Sequence, residues 1–196
     1  MISALMAAIV DDDRATVRKA LRADAGLASR LIDEPRLYKS GIFHWIYVGD
    51  TALHLAAAGY RTEIVELLLA VGANPNAAAN HRRGRPLHYA ADGYITGPVW
   101  DPKRQVKTIA VLLKAGADVQ AQDKNEATPL HRAVRTRCTA AVKCLRAAGG
   151  DPAGRNTSAS TTSHLAVQNT SRRGSGHAPA KAPKTKRNAT VPAVRT

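Results

Sequence analysis

Acidic side chains are absent from the end of this 196-residue chain: after Asp151 there is no Asp or Glu, while eight Lys or Arg follow from Arg155 to Arg195. Over the whole chain 29 basic residues face 15 acidic ones, a formal charge of +14, of which +8 belongs to the stretch from Pro152 onward. Such an excess suits an acidic protein, nucleic acid or an anionic membrane surface without choosing among them. Cysteine is scarce as well. Cys138 and Cys144 form neither a Cys-x-x-Cys motif nor a framework of pairs, which fits packing residues in a reducing, cytoplasmic compartment. No apolar run approaches membrane-spanning length. The apolar start, Met1 to Val10, lacks preceding basic residues and runs directly into Asp11, Asp12 and Asp13, unlike a signal peptide. The Asn-x-Ser/Thr matches at Asn156, Asn169 and Asn188 carry no meaning without secretion.

Motifs that carry chemistry are missing too. Seven His are present, yet no His-x-x-x-His or mixed Cys/His pair has metal-ligand spacing. Neither a Gly-rich phosphate loop between a strand and a helix nor a Ser in a nucleophile elbow is visible. The expectation is a protein without catalytic residues, metal or cofactor.

What is present is one well-formed unit, Asp50 to Ala77. Thr51 is placed to cap a helix with its hydroxyl. Ala56, Ala57 and Ala58 are small enough to let that helix lie close to a second. Gly59 ends the first helix; Ile64, Val65, Leu68 and Leu69 fall at helical spacing on the second; Gly72 supplies a left-handed stop. Asn74-Pro75 then starts a turn.

The unit recurs. His54, His88, His131 and His164 are spaced by 34, 43 and 33 residues, and the stop reappears as Gly72-Ala73-Asn74, Gly116-Ala117-Asp118 and Gly149-Gly150-Asp151. Thr128-Pro129-Leu130-His131-Arg132-Ala133 is the fullest version of the helix start. The pattern resembles the ankyrin repeat, whose signature is Thr-Pro-Leu-His-x-Ala followed by two helices and a β-turn finger over about 33 residues. The resemblance implies an all-α repeat solenoid of helix–turn–helix units with β-turn fingers. It further implies that Thr51, His54, His88, Thr128 and His131 are structural signature residues, with the imidazoles tying neighbouring loops together by hydrogen bonds.

In chain order, residues 4–24 align with the central unit without gaps (Leu5 with Leu53, Val17 with Val65, Leu21 with Leu69) but carry charges and no signature. Residues 1–49 therefore read as a degenerate N-terminal capping repeat plus a long finger. That finger holds Tyr38, Phe43, Trp45 and Tyr47, half of the eight aromatics, and residues 42–48 read as an extended strand. The rings either pack on the first repeats or stay exposed as partner anchors. Full repeats are expected at 50–79, 80–124 and 125–155. In the middle one Arg85 replaces the capping Thr, and the insertion 93–104, with two Gly and two Pro, forms a loop between the helices. Its Trp100 is either a lid on the edge of the array or a partner contact. Residues 156–168 read as a degenerate partial repeat, since Ser163 stands where Leu53, Leu87 and Leu130 do. Residues 169–196 read as a basic disordered tail.

The function implied by the resemblance is non-catalytic binding of a protein partner across the concave surface of fingers and first helices. The expected partner-binding residues are Arg82, Arg83, Arg132 and Arg135, facing an acidic protein through bidentate guanidinium forks, with Trp45 and Trp100 beside them. The alternative is a scaffold tethered to nucleic acid through the basic tail. A non-catalytic secreted effector or immunity-type factor is a third class.

Overall fold

The computed structural model describes residues 2–38, 41–93, 100–158, 160 and 161. Within them eight α-helices form: α1 (Ile2–Val10), α2 (Arg14–Ala23), α3 (Ala52–Ala58), α4 (Thr62–Ala70), α5 (Pro86–Ala91), α6 (Pro102–Lys114), α7 (Pro129–Arg135) and α8 (Thr139–Ala147). A short 3-10 helix, Ala25–Ala28, follows α2. Residues 94–99 of the insertion, His164 with most of the 156–168 stretch, and the tail 169–196 lie outside the described residues. No helix among the described residues is long and apolar enough to cross a membrane.

The helices pack in antiparallel pairs, and the pairs pack side by side. The first helices make one row (α1, α3, α5, α7) and the second helices another (α2, α4, α6, α8). Small residues permit this: Ala52, Ala56, Ala57, Ala90, Ala91 and Ala133 are fully buried between neighbouring helices. Leu53, Leu87 and Leu130, one per unit at the same signature position, are buried in a single continuous core with Ile64, Leu68, Ile109, Leu112 and Leu145. The architecture is an all-α repeat fold with one added hairpin.

Two recurrent turns close the helices. After the second helices, Gly72, Gly116 and Gly149 adopt φ of +90°, +86° and +95°. The next N–H then reaches back to the helix: Ala73 to Leu68 O, Ala117 to Leu112 O and Gly150 to Leu145 O, at 2.9–3.0 Å. This left-handed closure satisfies carbonyls that the helix end would leave unpaired. The first helices close with the same long bond (Asp13 to Ala8 O, Arg61 to Ala56 O, Cys138 to Ala133 O). There the left-handed residue is Asp12, Tyr60 or Arg137, not glycine. The first helix of the central unit therefore turns at Tyr60, while Gly59 keeps a negative φ.

The long finger differs from a single strand spanning 42–48. Phe43 has φ of +55°, which interrupts extended backbone, so the strand is shortened to β2 (His44–Ile46). It pairs antiparallel with β1 (Arg36–Tyr38), with Arg36 opposite Ile46 and Tyr38 opposite His44. The hairpin folds back onto the helices. Ile42 touches the Gly59 end of α3, and the N–H of Tyr47 reaches Asp50 at the other end. β2 thus runs alongside α3.

Candidate partner-binding surface

Three signature imidazoles hold successive turns at fixed spacing. His54 Nε2 lies 3.1 Å from Gly84 O, His88 Nε2 2.9 Å from Ala127 O, and His131 Nε2 3.0 Å from Gly154 O. On the other side of each ring, Nδ1 accepts the backbone N–H of the residue three before it: Thr51 (3.0 Å), Arg85 (3.2 Å) and Thr128 (3.2 Å). An Nδ1 that accepts cannot carry a proton, so each ring is the neutral Nε2–H tautomer, donating to a carbonyl of the following turn. Burial pushes His54 below the usual imidazole range, against the opposing charge of Asp50. His88 falls to about 4 through burial and the nearby Arg132 charge. The Thr51 hydroxyl meets His54 Nδ1 at 3.0 Å and stands opposite the His54 backbone N–H in a capping box with that imidazole. In the third unit the Thr128 hydroxyl does both, accepting His131 N–H at 3.5 Å and contacting Nδ1 at 2.8 Å.

The finger turns are built on a second repeated residue that sequence reasoning missed. Asn80 Oδ1 accepts the N–H groups of Arg82 and Gly84. Asp123 Oδ1 accepts those of Asn125 and Ala127, and Asn156 Oδ1 those of Ser158 and Ser160. These short side chains mimic a turn of backbone. Their spacing of 43 and 33 residues equals that of the imidazoles, which is the signal that could have revealed them. Arg83 and Glu126 hold the left-handed tip positions, with φ of +53° and +55°.

Asp50 is a buried hub beneath the hairpin. Its Oδ2 accepts Tyr47 N–H and the Tyr89 hydroxyl, both at 2.7 Å, and its Oδ1 accepts Asn80 Nδ2 at 2.8 Å. The hairpin then reaches the next unit: the His44 ring lies 4.9 Å from Tyr89, and Tyr47 meets His81 edge-on at 5.3 Å. Trp45 is half-buried and packs against the core. The chain's own hairpin thereby lies along α3 and reaches Tyr89 on α5.

Arginines expected on the surface divide into two kinds. Arg132 is largely buried, with Nη1 3.0 Å from Asp92 Oδ2 and Nη2 2.5 Å from Asp123 Oδ2. Its fork is occupied within the protein, linking α7 to the end of α5 and to a finger turn. Arg135 is half-exposed and also donates to Asp92, at 3.1–3.2 Å. Burial alone would raise the Asp92 carboxyl, but Arg135, His44 and Arg132 outweigh it and hold it well below the usual carboxylate range. Arg82 is half-buried, donating to the Tyr47 hydroxyl at 2.6 Å with its guanidinium 5.1 Å from that ring. Arg83 is exposed at the finger tip. Beside it, a shallow cleft of about 220 Å³ is lined by His81, Arg82, Asp123, Lys124 and Asn125. Trp100 stands apart, half-buried, with Nε1–H donating to Gln105 Oε1 at 3.1 Å. The structure brings Arg82 and Arg83 together at one finger and Arg132 and Arg135 together at Asp92, and leaves the two Trp separate from both.

The Ankyrin repeat family model matches residues 48–80. Over 88 residues the chain is 38% identical to NF-kappa-B inhibitor delta of Mus musculus, which covers 44% of this chain and 24% of that protein. Over 87 residues it is 34% identical to a probable serine/threonine-protein kinase of Dictyostelium discoideum, covering 44% of this chain and 9% of the kinase. The chain thus spans about a quarter or less of the curated relatives it matches.

Proposed function

We propose that this ankyrin-repeat protein is a non-catalytic protein–protein interaction module, a solenoid of helix pairs that receives an acidic protein partner on its finger tips and inner face. Ankyrin repeats generally mediate protein–protein interaction, and the match to residues 48–80 supports that role here. The observation that carries the reading is the rigid display of the fingers. Each turn is tied by an imidazole to the preceding unit, so that Arg83 and Lys124 stand exposed on adjacent tips while Arg135 faces outward beside Asp92. A pre-ordered basic edge loses little side-chain and loop entropy on binding. Two free cysteines suit a reducing, cytoplasmic setting. With the hairpin lying over the first two units, the partner's contacts fall to the tips and to the third unit.

The test is affinity capture from nuclease-treated native lysate with the full chain, alongside full-chain baits carrying Arg83→Ala with Arg135→Ala. Arg132 is left intact because its removal unbalances buried carboxylates. A partner rich in Asp and Glu, captured by the first bait and lost from the second, is the expected result. Equal capture by both would remove these arginines from the site.

A further inference from the structure

Charge is divided unevenly between the two rows of helices. The first helices α1, α3 and α5 contain no charged residue except the imidazoles, and the two arginines of α7 are engaged by Asp92 and Asp123. The second helices α2, α4, α6 and α8 carry ten Lys or Arg against two Glu. Both Glu lie on α4, where Glu63 draws Arg14 and Lys107 to 3.7 Å from either side. Beyond α4, neither α6 nor α8 contains an acid. The exposed positions of α6 are Lys103, Lys107, Ala110 and Lys114 after the leading Pro102, which is one stripe at helical spacing. The exposed face of α8 presents Thr139, Lys143, Arg146 and Ala147. Lys103, Lys114, Lys143 and Arg146 have no ion-pair partner among the described residues.

We propose that this outer face of α6 and α8 docks the phosphate backbone of nucleic acid. Like charges held in two adjacent rows repel one another and are relieved by a polyanion that neutralises them together, releasing its own counterions. From Lys103 to Lys114 the stripe extends about 16 Å, comparable to roughly five phosphates at about 3.4 Å per nucleotide along one strand. An anionic lipid surface fits less well. Peripheral membrane helices combine basic residues with exposed Trp, Phe or Leu, and no large apolar side chain of α6 or α8 is exposed. Both helices are anchored on their other side by buried residues, Ile109 and Leu112 on α6 and Ala141 and Leu145 on α8, and the contact is to backbone alone, without base reading. The exposed tip residues Arg83 and Lys124 are not part of this face.

The experiment is fluorescence anisotropy with a labelled mixed-sequence 30-base-pair duplex and the full chain, titrated at several salt concentrations. The face variant carries Lys103→Gln, Lys114→Gln, Lys143→Gln and Arg146→Gln. A tail variant with Lys181→Gln, Lys184→Gln, Lys186→Gln and Arg187→Gln separates the face from the basic tail, and a combined variant completes the set. All four side chains of the face are exposed, so an unchanged urea midpoint confirms folding. The expected result is that the face substitutions weaken binding about tenfold or more and reduce the slope of log K against log salt by about 3 to 4, in both the wild-type and the tail-variant background. A scrambled duplex binds equally. The proposal is overturned if the face variant keeps the wild-type affinity and slope, or if the tail variant alone abolishes binding. It is also overturned if phosphatidylserine vesicles bind through the same residues while the duplex does not.

Discussion

Arg132 on α7 donates to Asp92 at the end of α5 across 3.0 Å, and with its other nitrogen holds Asp123 in the finger turn between them. A single guanidinium therefore fixes the spacing of two helix pairs and the loop that joins them. Its planar fork reaches two carboxylates at once, which an ammonium does not.

Removing that fork leaves two carboxylates with little access to water. Arg132→Ala is expected to cost about 3–5 kcal/mol, the range for breaking one side of a buried ion pair. Arg132→Lys recovers part of it by satisfying one carboxylate. Arg135→Ala, which takes away only an outer partner of Asp92, should perturb the urea midpoint far less. Equal effects from Arg132 and Arg135 would contradict the division drawn between them.

Acid should destabilise the protein in two windows. His88 has a folded value of about 4, lowered by burial and by Arg132, against about 6.5 unfolded. A depressed imidazole means that the unfolded state binds more protons. Stability is therefore full above about pH 6.5 and falls as pH drops towards 4, by about 3 kcal/mol at about 1.36 kcal/mol per unit. Below that, Asp92 and Asp123 take over, since burial is outweighed by their arginine partners and both folded values are lowered. Their contribution is present above the ordinary carboxylate value near 4 and is lost as pH falls further. Urea midpoints between pH 7 and pH 4.5 measure the first window, and His88→Gln should shrink it, leaving the part contributed by His54, which burial lowers in the same direction.

Gly93 sits where the chain leaves α5, and an added Cβ would lie 2.2 Å from Cys138 Sγ and 3.1 Å from Trp100 Nε1. Cys138 is buried with its thiol 3.3 Å from the Thr136 hydroxyl, so Gly93→Ala should cost about 1–3 kcal/mol by overpacking. Gly116→Ala is the control. There φ is +86° but nothing lies within 4 Å, and the cost is only the roughly 1–2 kcal/mol of a left-handed alanine. Thermal unfolding of both variants separates crowding from backbone strain.

The repeated units were legible in the sequence because the same mechanical task recurs at the same spacing. Leu53, Leu87 and Leu130 fill one core, and His54, His88 and His131 bond the next loop. What escaped was long-range. Nothing local marks Arg132 as a buried bridge, because its partner Asp92 lies 40 residues away across an insertion. Likewise, the aromatic run at 42–48 announced extended chain but not its return over α3, which depends on the left-handed turn at Phe43 and on pairing with Arg36–Tyr38. Asn80, Asp123 and Asn156 kept the period, but as Asn or Asp they resemble any turn residue.

The hydroxyl of Tyr89 offers a test of how the hairpin is held down. It donates 2.7 Å to Asp50 Oδ2, a carboxylate with no exposed surface whose other donors are Tyr47 N–H and Asn80 Nδ2. Tyr89→Phe keeps the ring that His44 packs against and removes one donor to a buried charge, at an expected cost of about 1.5–3 kcal/mol. Tyr60→Phe removes a hydroxyl of similar burial that donates to a neutral carbonyl, Asp92 O, at 2.8 Å, and should cost about 0.5–1.5 kcal/mol. The two changes delete the same atom from comparably buried rings, so their difference isolates the charge of the acceptor. In Tyr89→Phe, amide exchange at Tyr47 should accelerate beyond the global loss of stability, because its acceptor Asp50 is then drawn towards solvent. Equal exchange at Tyr47 and at the core helix α3 in that variant would mean that the hairpin does not depend on Asp50 for its place.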